Sequence, residues 1–328
     1  MNKKKWIIVL IVFSLQIALT SCSEETTGPE NGTLARIYTL NQDSTVSVIA
    51  GNTNSVITTL ELEKDCWGID ANTATNRVYI TAWWNGSFFV VDGTTLTATS
   101  IEIDEGVHFT GVGVNSSTNR IYIADEHRNI ITVINGTNNS IIDSVEVGDV
   151  PFGIDVNSNT NRIYVANHYD NTVSVINGST NSVVATIGVG IEPVDVSVNP
   201  NTNHIYVLND YGTASSVSVI NGSNNLLIST INFSGYMYGI DVNPSTNRIY
   251  VFLNDYVTVI DGSDNSIVDS VEVGYGSGDI AINPNTNRVY VAKGDIIVIN
   301  GNTNSVIDTI SIGHKTTKII MIPGDDND

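Results

Sequence analysis

The chain has 328 residues, 41% of them hydrophobic, and carries 14 Lys+Arg against 34 Asp+Glu, for a formal net charge of −20. A hydrophobic share of that size supports a packed core and excludes a disordered chain. The acidic balance, with no basic stripe anywhere, excludes nucleic acid as a partner, because polyphosphate is repelled.

In chain order, Lys3, Lys4 and Lys5 lead into an apolar run of 14 residues, Trp6 to Leu19. That is the length of a secretory leader and short for a membrane span. The run ends in Leu19-Thr20-Ser21-Cys22, which resembles a bacterial lipobox. The resemblance implies a signal peptide over 1–21, cleavage before Cys22, and acylation of Cys22, with the membrane as a partner through that lipid. The alternative is an uncleaved N-terminal anchor. A polar tether completes 22–33, and its Ser23-Glu24-Glu25 resembles the acidic export signal of surface lipoproteins in Bacteroidetes-like bacteria. The expected address is therefore the outer membrane, at the cell surface. With Cys22 acylated, Cys66 has no partner, so no disulfide framework is expected.

From residue 34 to 323 the chain is periodic. Tyr38, Tyr79, Tyr122, Tyr164, Tyr206, Tyr250 and Tyr290 recur at intervals of about 42 residues, the signature of a repeat architecture. In the copy from Pro151 to Val189, four short β-branched or aromatic runs are separated by Asn157–Asn161, His168–Asn171 and Asn177–Asn181. Asn tolerates left-handed backbone, and Asn-Gly marks hairpins, so each copy predicts four antiparallel strands, A to D. No stretch after residue 22 has sustained helical periodicity.

Four strands in each of seven copies predict an all-β, seven-bladed β-propeller. The first copy starts at strand B, Ala35-Arg-Ile-Tyr38, with no strand A before it. The last ends at Ile310-Ser-Ile312, and one further apolar run, 318–322, supplies the missing strand A and closes the ring. The acidic stretch 324–328 forms a tail. Tyr164-Val-Ala-Asn167, inside a unit of this length and followed by Val173-Ser-Val-Ile-Asn177, resembles the YVTN-type repeat of YncE-like secreted propellers and of surface-layer proteins. The resemblance spans the whole repeat region. It implies the propeller and leaves the function open, because such propellers host binding, structural and uncharacterised members.

The A–B and C–D turns are near-copies of one another and do a local geometric job. The B–C turns and D–A crossovers, which share the opposite face, are diverse. They carry Trp67, Trp83, Trp84, His108, Phe109, His127, His168, Tyr169, Tyr211, Tyr236 and Tyr238. Aromatic platforms beside Asp, Asn and His line small-molecule, sugar and peptide sites, so these are the candidate ligand-binding residues. The residues read as preceding each strand A (Trp67, Phe109, Phe152, Val194, Tyr238, Gly278, Lys318) serve equally as wedges between blades. Asp70, Asp155 and Asp241 recur at one place in strand A and read as structural carboxylates, each bonded to backbone or to Arg77, Arg162 or Arg248.

No catalytic motif, phosphate loop or dinucleotide fingerprint occurs. The histidines are scattered without zinc-ligand spacing, and Asp261–Asn265 and the tail lack the calcium-loop order, so no metal and no cofactor is expected. The reading is a non-catalytic propeller that captures a glycan, a peptide or protein, or a planar small nutrient such as a cobamide, which some similar Bacteroidetes surface lipoproteins capture. The alternatives are a structural or adhesive envelope protein of surface-layer type and a lactonase- or lyase-like enzyme. The A strands carry no His or Glu, which disfavours the enzyme.

Overall fold

Alternating runs such as Thr172-Val-Ser-Val-Ile-Asn177 present one side chain in two to each face, so every strand needs cover on both sides. In the computed structural model, Arg162–Asn167 pairs antiparallel with Pro151–Asn157 on its inner side and with Thr172–Asn177 on its outer side. Ser182–Gly188 then pairs outside Thr172–Asn177. Seven such four-stranded sheets form the protein, a seven-bladed β-propeller. The structure describes residues 35–324 except 85 and 105. The leader, Cys22, the tether and residues 325–328 lie outside the described residues.

Blades are numbered here by their tyrosine, so blade 1 holds Tyr38. Six blades take all four strands in order. Blade 1 takes its strand A from the C-terminal end: Thr316–Ile322 pairs with Arg36–Asn41 in the register Arg36↔Ile322 to Asn41↔Thr316. The closing strand starts two residues earlier than the sequence suggested. The seven inner strands neighbour one another in sequence around a ring, with Thr316–Ile322 between Asp279–Asn283 and Cys66–Asn72. Seven clusters of buried side chains, one at each blade interface, form the core. Each repeated tyrosine is fully buried in one of them.

The near-copied turns do more than close hairpins. Asn157 ends an inner strand; its Oδ1 accepts the amides of Asn159 (3.0 Å) and Thr160 (3.2 Å), capping the A–B turn. Its Nδ2 donates to Asn203 Oδ1 of the next blade at 2.8 Å. The same inter-blade bond joins Asn72 to Asn119, Asn115 to Asn161, Asn199 to Asn247 and Asn243 to Asn287. The accepting asparagines have φ between 52° and 56°, which asparagine tolerates better than other side chains. So the recurring Asn-x-x-Thr-Asn is an asparagine belt from blade 2 to blade 7. Blade 1 has Ala35 and Ile322 at these places.

The glycine of each C–D turn has a different cause from the one its Asn-Gly context suggests. In Asn177–Asn181 only Asn181 has positive φ, at 49°, so the turn is not a two-residue type I′ loop. Gly178 is required by space. A Cβ there would sit 2.2 Å from Asn161 Oδ1 and 3.0 Å from the Tyr122 hydroxyl of the preceding blade. Gly178→Ala is therefore expected to cost about 1–3 kcal/mol, as overpacking does. Gly188→Ala, where an added Cβ meets nothing within 4 Å, leaves stability unchanged or slightly raised. Thermal melts of the two variants check this, and equal midpoints would refute it.

On the outer strands, the C–D register shifts in six blades but not in blade 2. The shift leaves two consecutive aliphatic side chains exposed at each of those six rims, for example Ile141-Ile142 and Leu227-Ile228.

Candidate functional site

The inner strands surround a narrow channel. Asp70, Asp155 and Asp241 occupy equivalent positions, and Asp195, Asp279 and Lys318 line the same channel two residues nearer the diverse face. Asp70 accepts the amides of Ala71 (2.7 Å) and of Val114 in the next blade (2.7 Å). Asp155 does the same with Val156 (2.6 Å) and Val198 (2.7 Å). Asp241 accepts from Val242 and, in the next blade, from Ile282. The partner is thus the next blade's backbone and not an arginine. Arg77 and Arg120 instead donate to the carbonyls of Gly136 and Gly178, each in the C–D turn of the following blade.

Burial dominates the titration of these groups. It pushes Asp70 up to about 8 and Asp155 up to about 7, the two amide bonds each receives acting the other way. Asp241 and Asp195 are raised by the same cause, and Asp279 reaches about 6. Lys318 Nζ lies 3.5 Å from Asp279 Oδ2. Its ammonium is held above the ordinary lysine value because Asp279 and Asp195 outweigh the cost of burial.

On the diverse face, a backbone bond ties each B–C turn to the preceding crossover: Trp83 N to Asp65 O (2.9 Å), Glu126 N to His108 O (3.2 Å), His168 N to Val150 O (2.9 Å). These fixed turns of blades 2, 3 and 4 hold a continuous arc of rings. From Tyr169 the centroids step 5.0 Å to His168, 5.1 Å to Phe152 and 6.1 Å to Trp67. They continue 5.2 Å to Trp83, 4.9 Å to Trp84, 4.5 Å to His108 and 3.9 Å to His127. Glu126 anchors the far end. Its Oε1 accepts from Trp83 Nε1 (3.1 Å) and lies 3.3 Å from His108 Nδ1.

A cavity of about 350 Å³ opens beside the arc between blades 1 and 2, lined by Trp67, Trp83, Gln42, Asp65, Cys66 and Lys318 among others. A smaller one of about 100 Å³ forms the channel mouth, with Trp67, Phe152, Asp195, Asp279 and Lys318 in its wall. Trp67 and Lys318 stand on both. Burial pushes the Cys66 thiol up to about 12, so it is not a thiolate nucleophile at neutral pH.

The structure brings Trp67, Trp83, Trp84, His108, His127, His168 and Tyr169 together in the arc. Phe109 is not part of it. The inner strands are bulged at their first residues, between Cys66 and Ile69, Phe109 and Val112, and Pro151 and Ile154. The bulge re-aims side chains. Trp67 and Phe152 turn to the mouth, while Phe109, one position earlier, is 1% exposed in the core beside Val107. The residue equivalent to Trp67 in blade 3 is Thr110, whose hydroxyl donates to Pro151 O at 2.7 Å. Lys318 stands one position after the equivalent of Trp67, Thr317, and lines the channel with Asp195 and Asp279. Tyr211, Tyr236 and Tyr238 lie on blades 5 and 6, outside the arc, with Tyr238 against Phe252 at 5.3 Å.

Sequence reasoning missed Glu126, Asp195, Asp279 and the role of Lys318. It also read the histidines as scattered, whereas His108 and His127 stack on each other. A signal for Glu126 existed, since it sits in the same turn as His127.

No family model matches the chain, and no curated protein matches it. Among solved structures it is similar to the hydrazine synthase of Kuenenia stuttgartiensis, with a TM-score of 0.67 and 14% identity over 75% of this chain and 86% of that one. It is also similar to a functionally unknown protein from Desulfotomaculum acetoxidans DSM 771, with a TM-score of 0.73 and 14% identity over 89% of this chain and 99% of that one. At that identity both speak for the propeller fold alone.

Proposed function

We propose that the chain is an exported, lipid-anchored propeller of the YVTN-repeat, YncE-like kind, which captures a ligand on the face formed by its B–C turns and D–A crossovers. The observation that carries this reading is the arc of eight rings beside a cavity of about 350 Å³. Trp67, Trp84 and Tyr169 are 38%, 52% and 65% exposed, and large exposed aromatics in one patch are the usual mark of an interaction site. The chemistry suits a molecule with flat faces: a glycan ring, an aromatic peptide side chain, or a planar nutrient such as a cobamide. Asp195, Asp279 and Lys318 below Trp67 offer polar anchoring at the floor of the mouth.

A binding role fits the channel better than a catalytic one. Asp70 and Asp155 spend both carboxylate oxygens on backbone amides, and the Cys66 thiol is held protonated. The test is intrinsic tryptophan fluorescence of the full chain in detergent, titrated with a panel of glycans, cobamides and aromatic peptides. One class is expected to give a saturable change, weakened about tenfold or more by Trp67→Ala and by Trp84→Ala, since each removes a contact worth about 1.4 kcal/mol or more. Absence of a response across the panel would overturn the reading.

A second reading, a self-associating envelope protein, draws on the exposed aliphatic pairs of six outer strands. It predicts concentration-dependent association in sedimentation, which Ile141→Thr with Leu226→Thr would reduce.

A further inference from the structure

At the end of the arc, three side chains from one blade converge on a small volume. His108 comes from the D–A crossover, and Glu126 and His127 come from the B–C turn. One donor atom from each lies within 4.8 Å of the others. His108 Nδ1 is 3.3 Å and His127 Nε2 is 3.9 Å from Glu126 Oε1. In a tetrahedral zinc site with bonds of about 2.0–2.1 Å, neighbouring ligand atoms stand about 3.3 Å apart. The first pair already has that separation. The second closes with a small rotation of His127, whose side chain is 56% exposed and turns by sliding over the His108 ring that it stacks on.

We propose that His108, Glu126 and His127 bind a divalent transition-metal ion of the zinc, copper or nickel class, with a further coordination position left open. Two imidazoles and one carboxylate suit such borderline ions, whereas calcium and magnesium demand oxygen ligands. The surroundings hold the ligands as a metal site requires. The Trp83 indole donates to Glu126 at 3.1 Å, an outer partner of the kind that orients a ligating carboxylate. The Glu126 amide donates to the His108 carbonyl, which locks crossover to turn. Asp125, buried beneath, accepts the amides of His127 and Arg128, each at 3.1 Å, and sets the turn.

The nearest fixed cation does not compete. Arg128 is bound by Asp104 at 2.7 Å and by Asp125 at 3.7 Å. Three protein ligands with a fourth position open is the arrangement that leaves room for a water or an incoming donor atom. The Trp84 ring lies 4.5 Å from the ring of His108. The inference goes beyond ligand capture by the arc, because it needs no organic ligand and does not involve Trp67.

The test uses the full chain in detergent, titrated with zinc by calorimetry and with cobalt(II) by visible absorption. Wild type is expected to bind one zinc ion and to give the d–d bands of four-coordinate cobalt. His127→Ala, an exposed position where folding is not at risk, and Glu126→Gln are each expected to weaken zinc by more than about tenfold. Trp67→Ala leaves metal binding unchanged while weakening capture about tenfold or more, so the two proposals fail separately. Absence of stoichiometric zinc binding by wild type would overturn the site. So would equal affinity in a His108→Ala, His127→Ala double variant, which would place the ion elsewhere, such as at His314 and Asp43.

Discussion

A chain that stops after Gly313 loses the cooperative unfolding transition of the propeller altogether. The deleted strand, Thr316–Ile322, is the inner strand of blade 1 and pairs with Arg36–Asn41 along its full length. Without it the amides and carbonyls on that edge of Arg36–Asn41 lose their partners beside the channel. Ile319 and Met321 leave the cluster that joins blade 7 to blade 1, and Ile322 leaves the cluster that joins blade 1 to blade 2. Each buried side chain of that size is worth about 1.5–3 kcal/mol, against a total stability of about 5–15 kcal/mol for a folded protein. Three such losses together with an unpaired edge consume the margin. The asparagine belt offers no substitute, because it lacks its residues at blade 1. Circular dichroism on heating and limited proteolysis check the result. Grafting 316–321, followed by an Asn-Pro-Asn-Thr-Asn turn whose first asparagine takes the place of Ile322, ahead of Arg36 is expected to restore the transition, since it gives blade 1 the strand order and register of the other six. A sharp melt in the truncated chain would show that ring closure is dispensable.

That closure is legible in the sequence, because counting strands needs only periodicity: Tyr38 has no strand A before it and 318–322 has no blade of its own. The turns were legible as turns, but the reason for their repetition was not. Asn157 reaches Asn203, and Gly178 faces the Tyr122 hydroxyl, so the sequence motif records contacts with neighbouring blades rather than local backbone preference. The candidate site was legible only as a set of unusual residues on one face. Its grouping comes from blades 2, 3 and 4, with Trp67 and Tyr169 about a hundred positions apart along the chain. Phe109 was misplaced because a bulge at the start of its inner strand, between Phe109 and Val112, breaks the two-residue alternation on which facing is read. Glu126 was passed over because its one signal in the sequence, a turn shared with His127, gains meaning only when Trp83 and His108 are seen around it.

The propeller melts at a higher temperature at pH 5 than at pH 8.5, the reverse of what paired surface carboxylates would give. The cause is the channel. In the native state Asp70 titrates at about 8, Asp155 at about 7 and Asp279 at about 6, while an aspartate in the unfolded chain titrates near 3.9. Between those values the native state holds more protons than the unfolded one, so stability falls as pH rises from about 4 to about 8. Surface groups act in the other direction and elsewhere. Asp92 and Asp261 are lowered by hydrogen bonds within their turns, and what they contribute is lost only on acidification below about pH 4. A tenfold difference in proton affinity between the folded and unfolded chain corresponds to about 1.4 kcal/mol. Asp70 and Asp155, however, keep partial access to solvent and each hold two amide bonds, which tempers their response. The fall in stability across the window is therefore expected to be smaller than the full difference between the native and unfolded values implies. Asp155→Asn removes one titrating group and is expected to flatten the slope. Lys318→Met is expected to steepen it above pH 6, because Asp195 and Asp279 then ionise with no cation between them. Melting temperatures that rise from pH 5 to pH 8.5 would mean that the channel carboxylates are ionised throughout. The amide bonds from the neighbouring blade, and not burial, would then govern their titration.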